Sequence, residues 1–541
     1  MRGGRWIALC AGVAVVAGHA AAFPWLVERL DRSPLTVRMR ASMVAPGPSL
    51  SVAAEIPGDA AARARLLVDG EDIGPAVGTV DLARAPGLHR VEWRARYRGG
   101  VERRVGWTQL VGPFQDPARP PCSARLLVGQ RFLDDGRAGP GTLAHLLARL
   151  VEHQMSGFEA FPVGSFERVR AISMRWASPA GEAGHLRVVL ELGFTRAALE
   201  LTIRIAPRLA GKEIALTSRT EARVRLRSRF VQWVSDLIRG DEIAGRMARR
   251  EIGAALDDIM TAPPPLPLGG GRVLQLTYCP DRDIEVVGGS HAAVPLAVEL
   301  ATASTAARRA GRAAAPILLP GDLGSAPAAM TAPLAIELDG NALNGLLYVL
   351  WGSGYLDEAL AGSGIVDRFH RDPIVAELLS VRARGPWLPL PPTLTPSRRP
   401  GQSYEIGVAS SLWLEDVGLR TPAHIFGRAG FQLIARSGVP SSEAPRLSLH
   451  DLGLTCEPEP GLLEPCYPEL AATLIERAPE VHGELSAWFG EVLAELLIDR
   501  EIAPSGSGAQ FRLQRSAIRS PPAGRHGPLR IDLMGQLEAL P

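Results

Sequence analysis

The chain changes its hydrophobic period several times, and each change marks an element. Between residues 34 and 112 the runs LTVRMRAS, SLSVAAEI, ARLLVDG, HRVEWRARY and RRVGWTQLV are short and alternating. Val91, Trp93, Ala95 and Tyr97 take every second position among charged neighbours, the period of a strand with one face buried. Asp69-Gly70, Pro86-Gly87 and Gly99-Gly100 supply turns. Strands so spaced predict an immunoglobulin-like β-sandwich over 34–112, although no Cys…Trp…Cys signature accompanies them. Gly112 to Pro121, GPFQDPARPP, reads as a linker.

A different order begins at residue 122. Thr142 is placed to cap a helix whose face is Leu143, Leu146, Leu147, Leu150, Val151 and Met155. Strands follow. Leu186, Val188, Leu190, Leu192 and Phe194 alternate, as do Leu199, Leu201, Ile203 and Ile205. From Glu213 to Arg227 the alternation continues far enough to predict an extended strand of about 50 Å. A long helix is predicted from Arg229 to Met260, with Phe230, Trp233, Val234 and Leu237 opening its apolar face. TAPPPLPLGGG then breaks the chain. Residues 269–301 read as central strands, and Ala/Pro/Gly-rich residues 302–332 as a loop excursion.

Pro333 to Asp357, PLAIELDGNALNGLLYVLWGSGYLD, joins both periods in one segment. Leu334, Ile336 and Leu338 face one way and Glu337 the other, as in a half-buried strand. Leu343, Leu346, Leu347, Leu350 and Trp351 then fall at i, i+3, i+4, i+7 and i+8, one stripe of a helix. Asp339 or Asn341 can cap its start, and Gly352 and Gly354 can end it. More strands follow at Glu377–Arg384, Tyr404–Leu414, Ile425–Ala435 and Arg446–Leu454. A second long helix carries Val481, Leu485, Trp488, Phe489, Val492, Leu493, Leu496 and Leu497 on one face. Closing strands are predicted at Gln510–Arg519 and Leu529–Leu537. The order helix, strands, long helix thus occurs twice, without obvious identity between the copies.

Composition adds the compartment. Arg2 and Arg5 precede an apolar run from Trp6 to Gly18, and Ala20-Ala21-Ala22 offers a small-x-small cleavage site. The run can also continue through Leu26-Val27, about the ~20 residues that span a bilayer. Residues 1–33 are therefore a signal peptide or an N-terminal membrane anchor, and either exports the rest to the periplasm. A net charge of +2 excludes a global field for nucleic acid. Lys212 is the only lysine among 59 basic residues, as codon usage in a GC-rich genome would give. Four cysteines follow the export segment. Cys456 and Cys466 bracket the short loop EPEPGLLEP and make the natural disulfide. Cys122 and Cys279 either form a second one, if the fold joins distant segments, or stay free and buried.

From about 122 to 541 the order of elements resembles the tubular lipid-binding (TULIP) superfamily, in its bactericidal/permeability-increasing and lipopolysaccharide-binding branch. The likeness rests on Asn344, Leu346-Leu347, Trp351 and Gly354 after an apolar strand, and on PWLPLPPTLTPSRRP (Pro386 to Pro400) before a strand pair. It implies an α+β fold with two halves, 122–268 and 333–541. Each half would wrap a curved antiparallel sheet around a long helix, with acyl chains between them. The groove walls would then be Leu143, Leu146, Leu147, Leu150, Val188, Leu190, Leu201, Ile203, Trp233 and Leu237 in the first half. In the second they would be Leu343, Leu346, Leu347, Leu350, Trp351, Trp488, Phe489 and Val492. Any of these residues would look the same as ordinary core. The family's disulfide ties a strand to the first long helix, and this sequence has no cysteine pair there.

Candidate chemistry beyond burial is sparse. Arg219, Arg223, Arg225 and Arg227 form a period-two stripe that could hold phosphate head groups, though a solvated strand face reads the same. The chain has no Gly-x-Ser-x-Gly elbow, phosphate-binding loop or His-Glu-x-x-His motif. His145 and His153, eight apart, cannot share a metal on one helix. The expectation is a non-enzymatic, exported lipid-binding or lipid-transfer protein without cofactor or metal. Its partners would be a phospholipid or lipopolysaccharide ligand and a membrane surface. A secreted lipopolysaccharide-binding or antimicrobial factor, and a structural or adhesion protein without ligand, are the alternatives.

Overall fold

The computed structural model describes the backbone of residues 38–39, 44–45, 49–55, 64–75, 78–96, 102–160, 164–180, 182–210, 213–226, 266–268, 272–279, 282–300, 315–320, 323–362, 382–397, 399, 404–416, 419–432, 446–456, 500–502, 509–519 and 528–539. Residues 38–111 form a three-stranded and a five-stranded sheet. Leu66, Val68, Val91, Trp93, Trp107 and Val111 pack in one cluster there. The alternation read at Val91 and Trp93 is the inward face of the Gly87–Arg96 strand.

The first large sheet has five strands and runs through Gly164–Ala177, His185–Phe194, Ala197–Ala210 and Glu213–Leu226. Its register places Val188 opposite Ile203 and Leu190 opposite Leu201. Unbroken period-two sequence makes strands of 14 residues possible here. Two helices precede the sheet, α1 (Gln130–Leu133) and α2 (Leu143–Gln154). Thr142 caps α2 by accepting a hydrogen bond from the His145 amide at 3.2 Å.

A central eight-stranded sheet joins distant parts of the chain. Ala124–Gly129 lies between His291–Val298 and Leu334–Leu338, and Leu334–Leu338 is next to the C-terminal Leu529–Ala539 strand. One face of this sheet is apolar, with Ala124, Val294, Leu296 and Val298 in the main core. The opposite face carries charge. Arg125, Glu337 and Arg530 stand side by side on three adjacent strands. Glu337 pairs with Arg125, and Arg530 donates to Asp532 at 2.8 Å. Arg125 also donates to the carbonyls of Leu323, Gly324 and Ser325. Segment 323–330 thereby straps the charged face, and Ala326 and Met330 cover Leu127, Ala293 and Ala335. The half-buried strand expected at 334–338 is therefore covered on both faces, and Glu337 is 4% exposed. Buried charges of this kind persist only when paired.

Helices α3 (Gly340–Gly352) and α4 (Tyr355–Gly362) follow that strand. They pack with a second five-stranded sheet built from Arg382–Trp387, Thr393–Pro396, Tyr404–Asp416, Leu419–Gln432 and Arg446–Cys456. A disulfide joins Cys122 to Cys279, with Cα atoms 5.8 Å apart. It closes a loop of 157 residues in separation, worth about 5 kcal/mol in the chain-entropy model. Cys466 lies outside the described residues, so the Cys456–Cys466 pairing does too.

One expectation is corrected. The architecture of long helices wrapped by sheets is not the one adopted. The described residues are mainly antiparallel strand, and their four helices run only 4, 12, 13 and 8 residues. Unbroken period-two runs give strands of up to 14 residues, longer than any of these helices. The segments expected as long helices, 229–260 and 481–497, lie outside the described residues, as do residues 1–37. Among the described residues no helix is long and apolar enough to cross a membrane. The segment read as a linker, 112–121, is packed onto the body. Phe114 bridges Ile317, the Gln115 amide donates to Pro316 O at 2.8 Å, and the Leu318 amide donates to Pro113 O at 2.7 Å.

The two N-terminal sheets are thus fixed to the body. Leu88 and Leu110 belong to the main core cluster. Arg428 reaches Asp69 at 3.2 Å and the Leu88 carbonyl at 3.0 Å, and His89 contacts Asp69 at 2.7 Å. Burial pushes the Asp69 carboxyl up. The hydrogen bond and charge of His89, the Arg428 charge and the Arg90 amide outweigh that, leaving it below the ordinary carboxylate value.

Candidate functional site: the leucine face of helix α3

Asp339 caps α3, its carboxylate accepting from the amides of Asn341 at 2.8 Å and Ala342 at 2.9 Å. The face of α3 that turns into the protein is not its leucine stripe. Asn341, Asn344, Tyr348 and Trp351 lie at i, i+3, i+7 and i+10 and are all buried. Each asparagine clamps a passing backbone with both ends of its amide. Asn341 accepts from the Leu319 amide at 2.7 Å and donates to the Leu319 carbonyl at 3.2 Å. Asn344 accepts from the Leu394 amide at 2.7 Å and donates to the Leu394 carbonyl at 2.8 Å. Trp351 Nε1 donates to the Leu388 carbonyl at 2.7 Å, and Asp357 of α4 accepts from the Leu388 amide at 2.8 Å. Gln115 donates to the Asn341 carbonyl at 3.0 Å.

Close approach completes this face. A Cβ at Gly345 would sit 3.4 Å from Val298 Cβ, and one at Gly340 would sit 2.6 Å from Leu319 Cδ1. Tyr348 packs on Trp351 with ring centroids 5.6 Å apart, and burial raises its phenol above the ordinary value. Burial, with the Asp339 charge added, pushes the Tyr404 phenol to about 12. Both hydroxyls therefore stay neutral at any physiological pH.

Leu343, Leu346 and Leu347 lie on the other side of the helix and are only partly buried, with Leu346 packing against the edge of the main core. Leu350 is buried at 1%, and Trp351 belongs with the inward face. The predicted stripe is thus split. Its C-terminal members enter the core and its first three leucines remain partly open.

The first-half candidates have a different fate. Leu147, Val188, Leu190, Leu201 and Ile203 meet in one cluster under α2, with Leu143 at its edge. Leu146 and Leu147 are each 4% exposed, and Val188, Leu190 and Leu201 are fully buried. This is filled core. The side chain of Leu150 is outside the described residues, as are Trp233, Leu237, Trp488, Phe489 and Val492. Arg219 and Arg223 are exposed, with Glu200 opposite Arg223 and Ala198 opposite Arg225. The side chain of Arg225 and all of Arg227 lie outside the described residues.

Sequence reasoning missed the two amide clamps. The available signal was composition: Asn341, Asn344 and Gly345 are poor helix formers that share one face, which marks that face for tertiary hydrogen bonds and close approach.

No family model matches the chain, and no curated protein matches it. Five chains of solved structures match. One is titled a crystal structure of lipopolysaccharide binding protein, at 10% identity, covering 77% of this chain and 99% of that one, with a TM-score of 0.31. A superposition that loose transfers neither architecture nor ligand.

Proposed function

We propose that this chain is an exported, non-enzymatic lipid-binding and lipid-transfer protein that shelters an acyl chain along Leu343, Leu346 and Leu347. The observation that carries the reading is the orientation of α3. Its asparagines and glycines are locked inward by backbone clamps, while Leu343 and Leu347 stay partly open on the far side and Leu346 borders the core. An ordinary core helix does the reverse. A rigid helix presenting leucines suits an acyl chain, which gains about 0.8 kcal/mol per methylene buried. The basic and apolar start of the chain (Arg2, Arg5, then Trp6 to Gly18) supports export.

The test is native mass spectrometry with solvent extraction on full-length protein purified without detergent. Phospholipid or lipopolysaccharide should co-purify, and its identity separates a phospholipid carrier from a lipopolysaccharide-binding factor. Leu347→Asp should lose the lipid and keep the fold. Lipid-free wild-type protein would overturn the reading and leave the structural or adhesion role.

A further inference from the structure

The outer face of the first five-stranded sheet carries a feature invisible along any one strand. Its register sets Arg175 opposite Arg187, Arg187 opposite Arg204, and Arg204 opposite Arg219. Four arginines therefore stand in one row across four neighbouring strands, spanning about 15 Å. Arg175, Arg187 and Arg219 are exposed. Of these four, only Arg204 has an ion partner among the described residues, Glu221 at 3.7 Å, and its Nε is buried without a hydrogen-bond acceptor. The next row holds Ser173, Val189, Thr202 and Glu221, so one carboxylate faces four guanidinium groups. The row beyond it is acidic by one charge, with Ala171, Glu191 and Glu200 followed by Arg223, so the basic surplus is confined to the arginine row.

Like charges directly opposite one another on a sheet destabilise it. Three successive such pairs make a surface that gains when an array of anions lies on it. We propose that this row is the docking surface for an anionic, phosphate-rich membrane face. Guanidinium groups match phosphate oxygens in bidentate geometry, and an extended sheet face offers them to a planar array of head groups together. The surface is separate from the leucine face of α3, so docking to a membrane and sheltering a chain can fail independently.

The experiment is co-sedimentation of the full-length protein with phosphatidylcholine vesicles, with and without phosphatidylglycerol, at low and at physiological salt. Wild-type protein should prefer the anionic vesicles, and the preference should weaken with salt. Each of R175Q, R187Q and R219Q should weaken binding about fivefold, and the triple variant about a hundredfold. R223Q removes the same charge outside the row and should change binding by less than about twofold. The triple variant R175K/R187K/R219K keeps the charge and should retain anionic preference. L347D should bind vesicles like wild type but carry no lipid, whereas the triple glutamine variant should still carry lipid. Equal binding of wild type to both vesicles, an unaffected triple glutamine variant, or an equal loss with R223Q would each overturn the proposal.

Discussion

Helices α2 and α3 each lie against a large antiparallel sheet, are nearly equal in length, and use their leucines in opposite ways. In α2 the leucines are the glue. Ala144, Leu147 and Val151 are buried in one cluster with Val188, Leu190 and Leu201. In α3 the core contacts of Tyr348, Val349, Leu350 and Trp351 are joined by two asparagine amides, an indole N–H and glycine contacts, and the first leucines are left partly open. Apolar periodicity identifies a helix in both cases but identifies the core-facing side only in α2. A helix fixed by hydrogen bonds can keep an apolar face in reserve for a ligand, whereas a helix fixed by burial has already used it.

The sharpest way to break the contrast is at the strand that feeds α3. Glu337→Ala should strand Arg125 in the core and destabilise the central sheet by roughly 3–5 kcal/mol. Glu191→Ala, whose partner Arg170 is 3.9 Å away at the surface, should stay within about 0.5 kcal/mol in denaturant titrations. Next in size, Leu147→Ala should cost about 3 kcal/mol through its cavity. Leu347→Ala should cost about 1 kcal/mol or less, because it is already partly exposed, yet only Leu347→Ala should reduce co-purifying lipid. Equal costs and equal lipid content would erase the difference between the helices. Asn344→Ala leaves the Leu394 amide and carbonyl unpaired and should cost about 2 kcal/mol. Its readout is faster hydrogen exchange at 393–396 with α2 unchanged.

The smallest effect concerns the N-terminal five-stranded sheet, whose core contacts through Leu88 and Leu110 are joined by the Arg428–Asp69 ion pair. The Asp69 carboxyl is depressed in the folded state. Its contribution is therefore present above the unfolded value of about 3.9, and it is lost as pH falls through the lower folded value. Hydrogen exchange across 64–75 and 87–94, corrected for the intrinsic pH dependence of amide exchange, should rise in that acid window and be steady from neutral pH down to about 5. In Arg428→Ala the same exchange should be raised at neutral pH.

Much of the secondary structure was legible. The inward positions of the His185–Phe194 and Ala197–Ala210 strands, the Thr142 cap and the start of α3 at Asp339 all follow from local pattern. The candidate site was legible only as a list of apolar residues. Pattern could not separate Val188, which is filled core, from Leu347, which is half-open, because both are apolar residues at an apolar period. The four-arginine row was illegible for the same kind of reason. Read along the Glu213–Leu226 strand, Arg219 belongs with Arg223, but across the sheet it belongs with Arg204, Arg187 and Arg175.

By itself the sequence determined the period of each element, since side-chain alternation and helical spacing are properties of neighbours on the chain. The tertiary structure alone decided which face of α3 is bound and that 112–121 is pinned rather than free. It also joined Cys122 to Cys279 and closed the buried pair of Arg125 and Glu337 across 212 residues. Those outcomes depend on strand register and on which segments meet, and a contact between distant residues leaves no period in the sequence of either.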